Sequence, residues 1–356
     1  MTPYEKNFKV PGRFEDHECT FITWPCKNSD LEVFNYENEI VIFAEKLSKF
    51  EKVVVIADPS NFDKAFKKCK HFALIWSIST DFSWIRDNGP IFIKNDKAEV
   101  AGVHFKFNGW GNKFEKCESV KEMPKYLLEK LNIKRFTSDL ILEGGGVSFD
   151  GKGTMITTEQ MLMNKNRNAS FSKKQIEKEV EDLLGIEKVI WLKKGLIEDE
   201  GTDGHVDCVA EYLAPGKILV QTVYDKKNPN YDLLKDNLKI LKNENDVLGN
   251  KLEIIEMPYL PYFPKLYNNI QYVSPYTNYY VANKSILVPE VDPKIDDKAY
   301  KLIQDIYTDR TIVPIPAFYQ AIGGGGPGCI TQQLPKNNNT SAVSYTHLTL
   351  PTNREV

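Results

Sequence analysis

The strongest constraint on the fold is a pattern of apolar strand, amphipathic helix and apolar strand that recurs about five times along the 356 residues. In chain order, the predicted strands and helices of the copies lie at 20–25, 34–50, 53–58 and 72–78; 90–93, 98–105, 120–131 and 134–141; 154–159, 173–184 and 188–192; 217–223, 231–241 and 251–257; and 285–291, 297–307 and 311–316. Because one copy cannot close a hydrophobic core alone, the copies must stack around an axis or along a line.

The repeats predict an α/β fold with a single domain. One helix between the strands of each copy favours α/β over an all-β sandwich. No linker divides the repeats, so we expect one domain over residues 1–335. The segment 336–356 is polar and breaks the pattern, and we expect a disordered or artefactual tail there, with no function for His347.

Composition restricts the class of partner. A net charge of −3 and a pI near 6.1 argue against a nucleic-acid binder, which needs a basic surface to neutralise phosphates. The first residues contain no apolar signal region and no run is long enough to span a membrane, so we expect a cytoplasmic protein without a membrane partner. The six cysteines include no CxxC pair, which predicts reduced thiols. Small molecules are the expected partners.

Polar, glycine-containing segments follow the same strand in four of the copies. They are TDFSWIRDNGP (80–90), LEGGGVSFDG (142–151), EDEGTDGHVDC (198–208) and AFYQAIGGGGPGC (317–329). If equivalent strands point the same way around an axis, these segments meet at one rim. The side chains expected to converge in one pocket are those of Asp87, Glu143, His205, Asp207 and Cys329.

This set of side chains indicates attack by sulfur on a cationic carbon. Cys329 can act as a nucleophile, with His205 as its acid and base partner. In an extended HVD segment, His205 and Asp207 would point to the same face. Three carboxylates beside a Cys/His pair suit a positively charged, planar guanidinium better than an acyl group, whose reaction needs oxyanion donors.

Each residue also has a purely structural interpretation. Asp87 could be a turn residue, Glu143 could cap a chain end or pair with a lysine, and His205 and Cys329 could be buried structural side chains. A metal bound by His205, Asp207 and a cysteine stays open, although the spacing is not that of the usual ligand pairs. The glycine run lacks the GK[ST] ending of a phosphate-binding loop.

Several motifs resemble the agmatine deiminase and bacterial peptidylarginine deiminase family of guanidine-modifying enzymes. They are, in order, TFITWP with its following Asp30, WIRDNGP, FNGWGNKF (107–114), LEGG, DGKGTMITTEQMLMNKNRN, TDGHVD and GGGG..CITQQLP, and the resemblance covers residues 10–335. It implies a five-bladed, pseudo-symmetric α/β propeller built from ββαβ repeats.

The resemblance also implies roles for the converging residues. Cys329 would be the nucleophile, His205 the general acid and base, and the carboxylates of Asp87, Glu143 and Asp207 would surround the guanidinium. Trp84 would line the pocket with them. The implied reaction is hydrolytic deimination without a metal or organic cofactor, through a covalent thiouronium intermediate. With agmatine it would give N-carbamoylputrescine and ammonia.

The sequence departs from the family's pattern at three places beside these residues. Pro327-Gly328 stand where relatives commonly have Ile-His, and Glu211-Tyr212 stand where they have Arg-Phe. The acidic residue that usually precedes T-[DN]-G-H is Gly201 here, with Glu200 one position earlier. We expect these neighbours to shape the far end of the pocket.

The departures leave the substrate open. A peptidylarginine or free arginine deiminase is an alternative, in which a cationic side chain such as Arg86 or Arg167 would bind a substrate carboxylate. Amidinotransfer to an amine and non-catalytic binding of a guanidine are further alternatives. Homo-oligomerisation is also left open.

Overall fold

The computed structural model describes residues 1–26, 36–114, 118–258, 265–267, 270–272 and 276–337. The strands are β1 (His17–Thr23), β2 (Lys52–Ala57), β3 (Leu74–Ser77), β4 (Ile91–Lys94), β5 (Val100–Lys106), β6 (Lys134–Ile141), β7 (Val147–Phe149), β8 (Thr154–Thr158), β9 (Lys188–Leu192), β10 (Ala210–Ala214), β11 (Lys217–Thr222), β12 (Glu253–Pro258), β13 (Lys265–Tyr267), β14 (Ile270–Tyr272), β15 (Tyr280–Ala282), β16 (Ser285–Glu290), β17 (Thr311–Pro316) and β18 (Thr331–Pro335). Helices of two or more turns are Glu37–Leu47, Phe62–Cys69, Met123–Lys130, Lys173–Leu184, Tyr231–Asn243 and Asp296–Ile306. Single-turn helices are Ile85–Asn88, Gly109–Asn112, Glu118–Lys121, Glu159–Leu162, Lys165–Asn168 and Phe318–Ile322, and 3₁₀ turns are Tyr4–Lys6, Pro59–Asn61, Gly144–Gly146 and Val206–Cys208.

The described strands form five small sheets with one common plan, besides the hairpin β13-β14. In each sheet an antiparallel pair is followed by a helix and a third strand that is parallel to the second. The sheets are β4-β5-β6, β7-β8-β9, β10-β11-β12, β15-β16-β17 and β18-β1-β2-β3. The last sheet joins both ends of the chain, because Phe21 of β1 pairs with Gln332 of β18. The predicted α/β class is confirmed.

The predicted helix at 120–131 is wrong in one respect, since it is two helices. Glu118–Lys121 ends before Met123–Lys130 begins, and Pro124 occupies the first turn of the second helix. Proline has no backbone N–H and fits only the first turn, so it separates the two helices. The start of the helix predicted at 34–50 and the tail from 338 onward lie outside the described residues.

The helix Lys173–Leu184 illustrates how the sequence determines where a helix begins, where it ends and which face it buries. Ser172 and Gln175 make a capping box at its start, and Gly185, with φ 67°, ends it in the left-handed conformation. Its buried side chains, Ile176, Val180, Leu183 and Leu184, are spaced for one face. Burying each such side chain contributes about 1.5–3 kcal/mol, which fixes the helix against its sheet.

Hydrophobic clusters fill the spaces between the sheets and the helices, and a cluster can join a strand of one sheet with the helix of another. Val54 and Ile56 of β2 are fully buried, as is Leu127 of a helix that packs in the same cluster. Within the described part of the chain, no helix is long and apolar enough to cross a membrane.

Candidate active site

The polar motifs lie immediately before the first strand of their sheets. Asp87 precedes β4, Glu143 precedes β7, Asp207 precedes β10 and Cys329 precedes β18, each by two to four residues. The common sheet plan therefore places the motifs in equivalent positions. Three of these residues, Asp87, Asp207 and Cys329, line one cavity.

This cavity has a volume of about 390 Å³ and is strongly acidic. Its lining includes the predicted residues Trp84 and His205 as well as the aromatic residues Trp110 and Phe114. The charged side chains that line it are Asp87, Glu198, Asp199, Glu200, His205 and Asp207. Among the described lining residues, none is a lysine or an arginine. Because its charge is negative, the cavity suits a cationic ligand.

Cys329 lines the cavity and is buried, with 7% of its surface exposed. Its Sγ is 3.9 Å from Asp207 Oδ2 and 3.1 Å from Asn278 Nδ2. Burial, together with the charges of Asp207 and Asp87, raises the pKa of the Cys329 thiol well above its usual range. In the free protein at neutral pH the sulfur is therefore protonated.

The glycine run before the cysteine permits a close approach of the backbone. A Cβ on Gly325 would lie 2.5 Å from the Trp84 ring, and Gly324 has a φ of 84°. Side chains at these positions would displace the tryptophan or strain the turn. The run brings Cys329 beside an aromatic wall, and three of its glycines, Gly323 to Gly325, line the cavity themselves.

Asp87 is held in the single turn Ile85–Asn88, where it is 5% exposed. Its Oδ2 accepts a hydrogen bond from Trp110 Nε1 at 2.9 Å, and its Oδ1 accepts one from the Gly145 backbone at 2.9 Å. Burial and the nearby Asp207 outweigh the imidazolium of His205 and raise the pKa of Asp87. A bound cation would therefore favour its charged form.

His205 lies between two of the predicted carboxylates. Its Nδ1 is 3.9 Å from Asp87 Oδ1, and its Nε2 is 3.8 Å from Glu143 Oε2. Burial disfavours the charged ring, but the surrounding carboxylates outweigh burial and raise the pKa of His205 to about 9. The ring is thus an imidazolium at neutral pH and can donate a proton.

Glu143 lies behind His205 and is not among the residues that line the cavity. Its side chain is fully buried, and its two oxygens accept bonds from Arg167 Nε at 2.8 and 3.0 Å. Burial opposes ionisation, but His205 and Arg167 outweigh burial and lower the pKa of Glu143. Arg167 also donates to Asp203 Oδ2, which ties this pair to the loop before the histidine.

Gly145 explains how these groups come so close together. A Cβ on this residue would lie 2.6 Å from His205 Nδ1, 2.8 Å from Asp87 Oδ1 and 3.0 Å from Asp207 Oδ2. Any side chain here would push the three groups apart. The second glycine of the LEGG motif is therefore required for these three side chains to pack together.

The HVD segment is not extended, contrary to the prediction. Val206–Cys208 form a 3₁₀ turn, and His205 caps its start. The side chains of His205 and Asp207 nevertheless line the same cavity. The His205 backbone N–H donates to Asp199 Oδ2 at 2.8 Å, so the loop that precedes the turn determines its position.

The departures from the family's pattern lie in different surroundings. Gly201 lines the cavity, but Glu211 and Tyr212 do not. Glu211 forms an ion pair with Arg13 at 3.1 Å on a buried side of the sheet, and Tyr212 is 1% exposed. The expectation that the Glu211-Tyr212 pair shapes the far end of the pocket is therefore wrong. Pro327-Gly328 are likewise not among the lining residues.

The two arginines considered as partners for a substrate carboxylate are engaged elsewhere. Arg86 Nε donates to the Gly328 carbonyl and Nη1 donates to Gln332 Oε1. The Arg167 side chain is fully buried against Glu143. Neither arginine lines the cavity.

Sequence reasoning missed three residues of the site, Trp110, Asp199 and Asn278. Trp110 lies between two glycines in a GWG segment, and this pattern indicates a tight turn. In the structure Trp110 has a positive φ of 53°. Asp199 lies in the acidic stretch 198–200, and the charge of this stretch is evident from the sequence. Asn278 follows no charged motif, but the repeat pattern places it before β15, the first strand of the remaining sheet.

Comparison with known proteins gives concordant similarities over almost the whole chain. Residues 9–335 match the Porphyromonas-type peptidyl-arginine deiminase family. The chain is 33% identical over 367 residues to the agmatine deiminase of Pseudomonas aeruginosa strain LESB58. The matched region covers 94% of this chain and 97% of that protein. The structure of the agmatine deiminase of Enterococcus faecalis matches with a TM-score of 0.87 at 29% identity, over 94% of this chain and 98% of the other.

A second solved structure carries a ligand. A cysteine-to-serine variant of the C. jejuni agmatine deiminase with substrate bound matches with a TM-score of 0.83 at 27% identity, over 93% of this chain and 97% of the other. The region matched by the family includes every residue described above for the cavity.

Proposed function

The chain belongs to the Porphyromonas-type peptidyl-arginine deiminase family, and we propose that it hydrolyses agmatine to N-carbamoylputrescine and ammonia. The observation that carries this choice of substrate is the charge of the cavity. Agmatine is positive at both ends, and the described lining residues offer carboxylates without a lysine or arginine. Relatives named as agmatine deiminases, one of them with substrate bound, support the same reaction.

The two ends of the cavity have separate roles in this proposal. Asp87 and Asp207 flank Cys329 and take the guanidinium, while Trp84 provides an apolar wall. Glu198 and Glu200, in the loop before His205, also line the cavity, and we assign to them the binding of the primary ammonium. Carboxylates bind the planar guanidinium through paired hydrogen bonds and hold its carbon for attack.

The first half-reaction forms a covalent intermediate on Cys329. The sulfur attacks the guanidinium carbon and gives a tetrahedral adduct. The adduct then collapses as the imidazolium of His205 protonates the departing nitrogen, which leaves as ammonia. The product is a thiouronium in which carbon is bonded to sulfur.

In the second half-reaction, neutral His205 takes a proton from water. Taking this proton regenerates the imidazolium, and the resulting hydroxide adds to the thiouronium carbon. The hydroxyl of this adduct loses its proton to solvent as the Cys329 thiolate is expelled, which gives the neutral ureido product. Overall, one guanidinium and one water give one ureido group, one ammonia and one proton, without change of oxidation state.

Substrate binding itself supports ionisation of the nucleophile. The raised pKa of Cys329 arises from burial and neighbouring negative charge. A guanidinium placed between Asp87 and Asp207 compensates that charge and so favours the thiolate. Attack is thereby coupled to occupation of the cavity by a cation.

The predicted contact of Glu143 with the guanidinium stays a prediction. The contacts of Glu143 with His205 and Arg167 support a role in orienting the imidazole. We also propose that the five sheets are blades of a propeller around one axis. Their common order and the pairing of β1 with β18 support that arrangement.

A cytoplasmic location is also part of the proposal. Its support is that the six cysteines of the sequence are scattered and include no CxxC pair, which predicts reduced thiols, as expected in a reducing compartment.

A substrate panel tests the proposed function. We expect kcat/KM to be at least about 100-fold higher for agmatine than for arginine, because an α-carboxylate would face like charges at a cost of several kcal/mol. Ammonia release from agmatine, arginine, arginine peptides and 4-guanidinobutanol measures this. The alcohol lacks the ammonium and serves as the matched control. Glu200→Gln is expected to raise KM for agmatine while leaving that for the alcohol unchanged.

Other outcomes of the panel select other functions. Faster turnover of arginine or its peptides would identify an arginine deiminase. Agmatine binding in a calorimeter without ammonia release over hours would identify a non-catalytic binder, and a requirement for an amine acceptor would identify amidinotransfer.

The pH dependence of agmatine hydrolysis follows from the two raised pKa values. The reactive form needs a thiolate and an imidazolium, and the pKa of Cys329 lies above that of His205, which is about 9. The rate constant kcat/KM, which reports the free enzyme, is therefore expected to rise with pH and to level off near pH 9. By contrast kcat should level off at lower pH, because bound substrate lowers the thiol pKa. Profiles of kcat/KM that are flat between pH 6 and pH 8 would contradict this ordering.

A further inference from the structure

We propose that Asn278 is a positioning residue that orients Cys329 and stabilises its thiolate. The inference rests on the proposed function in that Cys329 is taken as the nucleophile. Asn278 is 2% exposed and lies two residues before β15. It occupies the position in its sheet that Asp87, Asp207 and Cys329 occupy in theirs. The fifth repeat thus contributes to the site an amide where the others contribute charged or nucleophilic groups.

The hydrogen bonds of Asn278 connect the two sides of the nucleophile. Its Nδ2 donates to Cys329 Sγ and to Asp207 Oδ2, each at 3.1 Å. Its Oδ1 accepts from the Cys329 backbone N–H at 3.1 Å. A backbone N–H can only donate, so the amide oxygen must face it and both amide hydrogens are directed to the sulfur and the carboxylate.

This orientation has a chemical consequence for the sulfur. Burial and two carboxylates raise the pKa of Cys329, and the bond from Asn278 opposes that shift. Within the described part of the chain, the amide of Asn278 is the side-chain donor that hydrogen bonds Cys329 Sγ. Because the amide of Asn278 donates to both the sulfur and the carboxylate, it keeps Asp207 aligned with the thiolate. It also lowers the free energy that ionisation of the Cys329 thiol requires.

The loop before the cysteine is shaped to fit this asparagine. The Gly328 N–H donates to the Asn278 carbonyl at 3.1 Å. A Cβ on Gly328 would lie 2.8 Å from Asn278 Oδ1, and one on Gly326 would lie 3.0 Å from its carbonyl oxygen. Gly326 and Gly328 thus leave room for Asn278, which accounts for the glycine in the Pro327-Gly328 departure from the family's pattern.

Reactivity of the thiol tests the proposal without relying on deimination. Alkylation of Cys329 by iodoacetamide is followed against pH by mass spectrometry of its peptide, in the full-length protein and in Asn278→Asp and Asn278→Ala. The aspartate keeps the shape of the side chain but removes both donors and adds a negative charge. We expect alkylation at pH 8 to slow by at least about tenfold, which corresponds to one pKa unit, or 1.36 kcal/mol.

The control and the kinetics separate positioning from folding. Asn237→Asp changes another buried asparagine, whose Nδ2 donates to the Lys194 carbonyl, and it is expected to leave the alkylation profile of Cys329 unchanged. With agmatine, Asn278→Asp is expected to lower kcat by about 100-fold, the scale of losing one aligned catalytic contact, with a change in KM of less than about threefold.

Each outcome decides the proposal. A folded Asn278→Asp variant with the wild-type alkylation profile would overturn it and leave Asn278 a structural residue. If the alanine variant does not fold, the aspartate variant decides, since it preserves size and shape. If the wild-type protein does not release ammonia from agmatine but the variant still shifts the thiol profile, the proposed function fails and the role of Asn278 stands.

Discussion

Replacing Cys329 by alanine is expected to reduce ammonia release from agmatine by more than about 10⁴-fold, because covalent catalysis loses the proposed nucleophile. Binding should persist, since Asp87 and Asp207 still line the cavity. Ammonia release measures the chemistry, and calorimetry with agmatine measures the binding. Acid quenching of the wild-type protein during turnover should also reveal an adduct on Cys329 with the mass of agmatine less ammonia.

Cys69→Ala is the matched control for this variant. Cys69 is a buried thiol at the end of the helix Phe62–Cys69 and does not line the cavity. Its replacement is expected to leave kcat/KM within about threefold, because it removes one buried atom that does not line the cavity. Turnover by Cys329→Ala at the wild-type rate would end the covalent mechanism, whatever the substrate.

Replacing His205 by alanine is expected to reduce kcat/KM for agmatine by about 10³-fold or more, because the same ring protonates ammonia and activates water. The pH profile should change in a characteristic way. Wild-type kcat/KM levels off near pH 9 as the imidazolium loses its proton, whereas kcat/KM of the variant should keep rising past that point with the thiolate alone. Steady-state kinetics between pH 6 and pH 10 measures both effects.

His71→Ala controls for the loss of a histidine as such. His71 is exposed and lies outside the cavity, so its removal is expected to leave both the rate and the pH profile unchanged. A His205→Ala variant that keeps the wild-type profile, including the level region near pH 9, would show that another group titrates there.

The sequence was sufficient to predict the repeats and the convergence of three of the candidate site residues. Apolar periodicity predicted the helix at 173–184 and the strands at 188–192 and 311–316 with the observed bounds, because burial on one face selects the residue type at each position. The order of strand and polar loop predicted that Asp87, Asp207 and Cys329 would meet, and they line one cavity. Repetition made this possible, since equivalent loops of equivalent units lie together.

Other features depended on contacts between distant segments and could not be predicted. The partner of Glu143 is Arg167, which a list of charged residues cannot single out from the other cations. Arg13 pairs with Glu211 across 198 residues, so a departure that looked important for the substrate is a buried ion pair instead. The turn at Val206–Cys208 replaces the predicted extended segment because Asp199 binds the backbone of His205.

The sequence by itself determined the repeated α/β units and the acidic character of the motifs, and it singled out Cys329 and His205 as the candidate nucleophile and its partner. Those properties are local, since they depend on residue type and spacing along the chain. Only the tertiary structure decided that Glu143 lies behind His205, that no described basic side chain lines the cavity and that Asn278 holds the sulfur. Protonation and specificity depend on distances of a few ångströms between groups far apart in sequence, and packing alone sets those distances.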